Sequence, residues 1–266
     1  PGYFKDYINE NTIYPVNRIA DVLRKGYGPH YSVFLQKEVG KNIPASAPVN
    51  SLVMPLSNID QVANYFGLRL NQLLLPGPPF FLCGDESYSQ DPVFFFCDHS
   101  DPAVIEGTRK GRFEEFGYFY SDPSQFPDPF DVRTFLKSRQ HLDVCGSKQK
   151  AVLDLFKKCL SLRKQVESIT ISDRGAQKVL EYPGSSLLQY TRTYGGETAI
   201  LLLNLGSKTE TVAIQYPAQL YCLLNTESAE WSGPGISAEP INLSSISVEP
   251  ETLMLLIGHM SVPEES

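Results

Sequence analysis

The fold prediction rests on the stretch Leu56-Ser57-Asn58-Ile59-Asp60-Gln61-Val62-Ala63-Asn64, together with a second stretch, Leu82-Cys83-Gly84-Asp85-Glu86-Ser87-Tyr88. Each stretch follows a short apolar run, Ser51 to Leu56 in the first case and Pro79 to Leu82 in the second. Polar side chains therefore begin where a buried strand would end in a loop. In a parallel β/α barrel, the loops that follow the strands carry the active site. The two stretches predict neighbouring strand ends of such a barrel.

The segment ahead of these strand ends is too short for the rest of a barrel. Only about fifty residues precede the first stretch, whereas an eight-stranded barrel takes about 250. The predicted fold class is α/β plus all-β, with the C-terminal part of a (β/α)8 TIM barrel at 1–169. A small antiparallel β-sandwich domain is predicted at 170–266, and an insertion with its own fold at about 91–133.

Helical spacing of apolar residues marks the elements of the predicted barrel part. Residues 17–25 predict a helix that stops at Gly26, and 26–48 predict a long loop over the barrel mouth, since no period is visible there. A helix at 66–75 would end at the following prolines. The stretch 148–164 has the clearest amphipathic pattern and predicts the last barrel helix.

The predicted insertion is rich in aromatic residues and in Asp-Pro pairs, a combination that favours turns and helix starts. Pro102 suits the first turn of a helix that runs to about Phe116. The aromatic run Phe94-Phe95-Phe96 is interpreted as core, with a sugar-stacking platform as the alternative.

Short strands separated by Gly, Ser, Pro and Asn predict the β-sandwich domain. Glycines in Tyr194-Gly195-Gly196-Glu197 and in Leu205-Gly206-Ser207-Lys208 predict hairpin turns with positive φ. The predicted strands are Leu187 to Thr193, Glu197 to Asn204, Glu210 to Gln215, Leu220 to Leu224 and Leu253 to Ile257.

Composition excludes several classes of partner. A formal charge of −7, from 23 basic and 30 acidic residues, argues against nucleic acid binding. No apolar run approaches the roughly twenty residues that span a bilayer, so no membrane partner is predicted. The five cysteines are odd in number and form no Cys-x-x-Cys pair, which predicts reduced thiols in the cytoplasm, with an organelle left open.

Carboxylates are the candidate catalytic groups. Asp60 follows one predicted strand, and Asp85-Glu86 follows the next. Converging carboxylates are what cleavage of a glycosidic bond requires, because the leaving oxygen must be protonated and an oxocarbenium ion stabilised. The alternative for each acid is a helix cap or a solvated loop residue.

Other common chemistries are absent from the sequence. The four histidines, at 30, 99, 141 and 259, show no metal-ligand spacing, so no metal is predicted, even around His99. No nucleophile elbow, phosphate-binding loop or dinucleotide fingerprint is present. We therefore predict no cofactor.

Several segments resemble one known family, the malto-oligosyltrehalose trehalohydrolases of the α-amylase clan. Residues 1–7 look like the family's segment after the sixth strand, and 19–27 resemble the helix that follows it. Asn58 to Asn64 resemble the seventh-strand motif Asn-His-Asp-Gln-(Ile/Val)-Gly-Asn. Two further segments are similar to the family's insertion, Pro92 to Pro102 and Arg109 to Phe116, and two resemble its C-terminal β domain, Asn225 to Glu227 and Trp231 to Gly235. The resemblance covers nearly the whole chain but only about the last half of the family's length.

The resemblance implies a retaining glycoside hydrolase that cleaves the α-1,4 bond next to the terminal trehalose of maltooligosyl trehalose. It implies that Asp60 stabilises the transition state, and that maltooligosyl trehalose or a related α-glucan is the partner. It places the nucleophile Asp and the acid/base Glu on strands before residue 1, so the chain alone is expected to be inactive. The substrate-binding residues expected at these strand ends are Asn58, Gln61, Asn64, Asp85 and Glu86.

Two departures from the family motif keep alternatives open. Ile59 replaces a histidine that would bond a sugar hydroxyl, and Tyr65 replaces the usual arginine. The chain could instead be a non-catalytic descendant of the clan that binds glucan or a partner. A fragment of another clan member, such as a branching enzyme, is the third interpretation. The oligomeric state is not predicted.

Overall fold

The computed structural model describes residues 16–25, 30–32, 37–39, 47–48, 54–55, 71–81, 83–87, 89, 91–117, 120–141, 146–231 and 243–259. Five α-helices lie in these ranges: α1 Val16–Lys25, α2 Pro102–Phe116, α3 Val132–Lys137, α4 Ser147–Gln165 and α5 Glu167–Thr170. None of the described helices is long and apolar enough to cross a membrane.

In the described ranges, four short strands follow α1 and seven more follow α5. Short 3-10 helices lie at Asn71–Leu74, Asp85–Ser87, Pro123–Gln125 and Ala229–Trp231. The strands are β1 His30–Ser32, β2 Lys37–Val39, β3 Met54–Pro55, β4 Pro79–Phe80, β5 Gln177–Glu181, β6 Leu187–Tyr194, β7 Glu197–Asn204, β8 Glu210–Val212, β9 Leu220–Asn225, β10 Ile246–Val248 and β11 Leu253–His259.

The strands that precede the two acid-bearing stretches are neighbours in space. β3 and β4 pair in parallel, with Met54 opposite Pro79 and Pro55 opposite Phe80. Parallel strands present their carboxyl ends at the same edge, as the sequence analysis expected of two barrel strands.

Two predictions for the first part of the chain need correction. The predicted long loop at 26–48 contains an antiparallel pair, β1 with β2. These strands have three residues each, too short for a periodic apolar pattern to be visible. The described part of the predicted helix at 66–75 is a 3-10 helix, Asn71–Leu74, and residues 66–70 lie outside the described residues.

The largest sheet has five antiparallel strands in the order β5-β6-β7-β11-β9. A second sheet, β8 with β10, is also antiparallel and covers one of its faces. The predicted strand at 210–215 ends at Val212 and pairs with β10. The chain therefore changes layer after β7, so the turn predicted at 205–208 does not form a hairpin.

Both faces of the central strands are buried. Along β7, Leu201 and Leu203 face the helices, whereas Ile200 and Leu202 face the β8–β10 layer. The same alternation runs along β11, where Leu255 faces the helices. Successive side chains of a strand point to opposite faces, so a strand covered on both sides is apolar at every position. This explains the unbroken apolar run from Ala199 to Leu203.

One hydrophobic cluster spans the predicted domain boundary at 169–170. It joins Ala20 of α1, Leu155 of α4 and Ile169 of α5 to the helix-facing side of the large sheet. Arg24 of α1 also donates to Glu181 of β5 at 2.6 Å. The boundary itself stays a prediction, because the helices and the sheet share this core.

Glycines at two turns have different roles. Gly195 and Gly196 connect β6 to β7 with φ of 56° and 81°, as the hairpin prediction required. Gly206 has no left-handed φ, in contrast to the prediction; a Cβ there would lie 2.6 Å from Cβ of Ser186. Gly206 is needed for this close approach of the chain.

Aspartates start the helices of the insertion. The Asp101 carboxylate accepts from the N–H of Ala103 at 2.8 Å, and Asp131 caps α3 in the same way. The predicted helix start at Pro102 is confirmed. No side chain of α2 is buried, so the insertion packs mainly through partly exposed groups.

Candidate functional site

Part of the predicted site lies outside the described residues. This applies to Asn58, Asp60, Gln61 and Asn64, and to the neighbouring Ile59. Their predicted roles stay predictions. The described part of the site is the second stretch, in the loop that follows β4.

Gly84 organises the loop after β4. Its φ of 99° lies in the left-handed region, which favours glycine. Its N–H donates to Oε2 of Glu86 at 2.9 Å, and its carbonyl accepts from the N–H of Ser89 at 2.9 Å and of Ser87 at 3.2 Å. The loop 84–89 is thus a compact turn closed on one glycine.

The two predicted acids lie in this turn. Asp85 and Glu86 form the first positions of the 3-10 helix Asp85–Ser87, and both are partly exposed. The Glu86 carboxylate accepts from the Gly84 N–H and so stabilises the loop. Partial exposure leaves both side chains accessible, so their contact with substrate stays a prediction.

Arg163 of α4 fixes the segment that leads into β4. Its guanidinium donates to the carbonyls of Leu73 at 3.2 Å and Gly77 at 2.9 Å, and also to those of Leu75 and Pro76. Burial lowers the pKa of Arg163. A guanidinium has five N–H donors, enough to hold several carbonyls at once.

The segment 91–141 contains the predicted insertion at about 91–133 and keeps that name, and its two ends meet beside the loop. Oδ2 of Asp91 accepts from the backbone N–H of His141 at 2.6 Å and lies 2.9 Å from His141 Nδ1. It also accepts from Oγ of Ser89 at 3.0 Å. Hydrogen bonds from the His141 backbone and ring lower the pKa of Asp91.

This trio does not form a nucleophilic relay. In a serine hydrolase, the histidine bonds the serine and the aspartate bonds the histidine. Here Ser89 and His141 both bond to Asp91. The arrangement holds two chain segments together, and His141 is not placed as a general base for the Ser89 hydroxyl.

Gln140 connects the insertion to the loop. A Cβ on Gly84 would lie only 2.6 Å from Oε1 of Gln140, so this side chain covers the glycine. Nε2 of Gln140 donates to the carbonyl of Ser138 at 3.1 Å. Sequence reasoning missed Asp91, Gln140 and His141, because the contact joins residues far apart in the chain.

The aromatic run packs within the insertion and is not deeply buried. Phe95 contacts the Arg112 guanidinium, 4.3 Å from the ring centroid, and Phe96 packs edge-on against Phe135 at 5.2 Å. Phe96 remains 42% exposed, so its interpretation as core is wrong. Charged and aromatic partners replace an apolar core here.

Metal-binding geometry is not found in the described ranges, where no group of three His, Cys, Asp or Glu side chains could hold an ion. His99 instead packs near the ring of Phe130, with centroids 6.0 Å apart. The four described cysteines, Cys83, Cys97, Cys159 and Cys222, are free thiols.

Comparison with known proteins identifies the relatives of this chain. No family model matches it. A malto-oligosyltrehalose trehalohydrolase from Rhizobium sp. is 26% identical over 261 residues, covering 91% of this chain and 42% of the relative. One from Brevibacterium helvolum is 30% identical over 62% of this chain and 30% of the relative. The chain is a relative of the trehalohydrolases. The resemblance that the sequence predicted is confirmed.

A solved structure supports the shared fold. An alpha-amylase candidate from Salmonella typhimurium superposes with a TM-score of 0.69 at 21% identity, covering 97% of this chain and 43% of that protein. In the part that the structure describes, this trehalohydrolase relative thus shares the fold of the matching portion of that protein. It spans less than half the length of the Rhizobium relative and of the Salmonella protein.

Proposed function

We propose that the chain is the C-terminal part of a glycoside hydrolase that cleaves the α-1,4 bond next to the terminal trehalose of maltooligosyl trehalose. The observation that carries this proposal is the similarity to a trehalohydrolase over 91% of the chain. The parallel pairing of β3 with β4 supports it, since both acid-bearing stretches then leave the same edge. On this view 1–169 belong to the barrel, and 170–266 form the β-sandwich domain.

Asp60 is the proposed catalytic residue, as a stabiliser of the oxocarbenium-like transition state. The carboxylates of Asp85 and Glu86 would accept hydrogen bonds from sugar hydroxyls. The amides of Asn58, Gln61 and Asn64 can donate as well as accept.

The 266 residues by themselves are proposed to bind but not to hydrolyse. By resemblance, the nucleophile and the acid/base come from earlier barrel strands, and cleavage with retention needs both carboxylates. We expect no trehalose when the purified chain is incubated with maltooligosyl trehalose. Measurable turnover would contradict this part of the proposal.

Calorimetric titration with maltooligosyl trehalose tests the binding. Asp60→Asn should weaken the affinity about tenfold, because a charged acceptor for sugar hydroxyls is lost. The matched control is Asp122→Asn, on the insertion, where the carboxylate caps a 3-10 helix. No binding by the natural chain, or equal losses in both variants, would overturn the proposal.

Ile59 favours a second candidate, a non-catalytic descendant that binds glucan or a partner. An aliphatic side chain cannot bond the sugar hydroxyl that the family histidine would contact. The affinity of the variant Ile59→His distinguishes the two candidate functions. A hydrolase-type site should bind maltooligosyl trehalose more tightly after this change, whereas a surface adapted to another ligand should bind it no better.

A further inference from the structure

We infer that Asp91 and Gln140 are positioning residues that hold the Asp85–Glu86 loop in its substrate-binding shape. The insertion would then influence the specificity of the site through the shape of this loop. This inference rests on the proposed function for the ligand, a sugar with hydroxyl donors. The structural part concerns only the loop and the ends of the insertion.

The loop depends on contacts from outside itself. Hydrogen bonds within the loop converge on Gly84, whose N–H donates to Glu86 and whose carbonyl accepts from Ser87 and Ser89. A left-handed glycine loses more conformational freedom on ordering than other residues do. A turn closed on one such residue therefore benefits from a neighbour that limits its motion.

Gln140 is that neighbour. Its Oε1 stands so close to Gly84 that a methyl group there would be 2.6 Å away, closer than real Cβ contacts. The amide is anchored on its other side by the carbonyl of Ser138 at 3.1 Å. Ser138 Oγ in turn accepts from the N–H of Phe94 at 3.0 Å. The glycine therefore packs against a side chain that the insertion fixes.

Asp91 holds the second contact between loop and insertion. A single oxygen, Oδ2, accepts from Ser89 Oγ on the loop and from the His141 N–H on the far end of the insertion. Ser89 is the same residue whose N–H bonds to Gly84. Displacing Asp91 should therefore move the loop that carries Asp85 and Glu86.

The insertion is ordered enough to act as a support. The backbone N–H of Cys97 donates to the carbonyl of Pro129 at 3.0 Å, and Arg109 binds Asp128 with two nitrogens. These bonds tie its first segment and α2 to the segment before α3. Because these bonds hold the insertion together, it can restrain the loop that carries Asp85 and Glu86.

The test compares Asp91→Ala, Gln140→Ala and Asp91→Asn in the 266-residue chain, with Asp122→Ala as the control on the same insertion. Amide hydrogen exchange is read at Gly84 and Ser89, and titration gives the affinity for maltooligosyl trehalose. We expect the two alanine variants to exchange about tenfold faster at these amides and to bind about tenfold more weakly. Asp91→Asn keeps one acceptor oxygen and should recover much of both effects.

A purely structural role would lower the melting temperature and leave these local readouts as in the Asp122→Ala control. Unchanged exchange at Gly84 and Ser89 overturns the inference, as does faster exchange with unchanged affinity. If the natural chain binds no glucan but Asp91→Ala still loosens both amides, the loop is positioned as inferred and the proposed function is wrong.

Discussion

The five-stranded sheet and the insertion between Asp91 and His141 are stabilised in different ways. In the sheet, β7 has seven of its eight residues buried. In the insertion, α2 is fifteen residues long and has no buried side chain. Burial of apolar area is worth about 25 cal/mol per Å², whereas an exposed ion pair contributes at most about 1 kcal/mol. Burial can therefore stabilise the sheet, whereas the side chains of α2 add little stabilisation of this kind.

Polar contacts replace the apolar core within the insertion. Arg109 binds Asp128 at 3.0 Å, and the Arg112 guanidinium lies 4.3 Å from the ring centroids of both Phe95 and Phe116. Such directional contacts fix geometry even where they add little stability. A unit of this kind is suited to positioning a neighbouring loop, and its shape should be sensitive to charge.

The largest expected effect is in the sheet. Leu255→Ala removes a fully buried side chain of β11 and leaves a cavity between the sheet and the helices. We expect a loss of about 2–5 kcal/mol in the free energy of unfolding. Urea unfolding followed by circular dichroism measures it.

Tyr221→Ala is the matched control for this change. Tyr221 lies on the adjacent strand β9 but is 59% exposed. Its removal should change stability by no more than about 0.5 kcal/mol. Similar losses in both variants would show that burial does not distinguish the two positions.

The second largest effect is expected from a fall in pH, which should loosen the insertion but not the sheet. The Arg133 side chain and backbone lower the pKa of Asp131 from 3.8 to about 2, and the pKa values of Asp91, Asp122 and Asp128 are also lowered by hydrogen bonds. A lowered folded-state pKa stabilises the fold above the ordinary value, and this contribution is lost as the pH falls through the folded value. The insertion should loosen between about pH 4 and pH 2.

Two carboxyls beside the ends of β9 and β11 respond in the opposite direction. Burial raises the pKa of Glu227 and of Glu251, and the charges of Glu251 and Glu249 raise that of Glu227 further. A raised folded-state pKa of an acid penalises folding at neutral pH, and acidification relieves the penalty. Glu210 of β8, in the smaller sheet, has a lowered pKa and opposes this trend.

Amide exchange measured across the pH range tests whether the insertion loosens in acid while the sheet does not. Exchange at Arg133 and Ser124, corrected for intrinsic rates, should accelerate towards pH 2, while that of β7 amides should stay slow. Simultaneous loss of protection in both regions would mean that the insertion and the sheet unfold as one unit.

The difference in burial also explains which elements could be predicted from the sequence. Glu197–Asn204 was predicted with its observed ends, because burial on both faces leaves a continuous apolar run. Gln177–Glu181 was missed, since an edge strand with two apolar residues carries little pattern. Ile246–Val248 was missed because three residues are too few to show alternation.

Prediction of the site was limited to residues that follow a local sequence pattern. Asp85 and Glu86 could be placed at a strand end, because polar residues after an apolar run mark such an end. The contacts of their loop with Asp91 and Gln140 could not be predicted, since bonds between distant residues, such as that of Asp91 with His141 50 positions away, leave no local pattern. The resemblance to trehalohydrolases indicated the insertion but did not indicate which of its residues touch the loop.

The smallest expected effect tests whether the caps of the insertion act locally. Asp101→Ala removes the acceptor for the Ala103 N–H at the start of α2 and should cost about 1 kcal/mol of helix stability. Asp101→Asn keeps an acceptor oxygen and should be close to neutral. Because α2 buries no side chain, the loss should accelerate exchange in the first turn of α2 about fivefold and leave the unfolding of the sheet unchanged. If Asp101→Ala instead lowered the stability of the whole chain, the insertion would contribute to the core, and the division between the two regions would not hold.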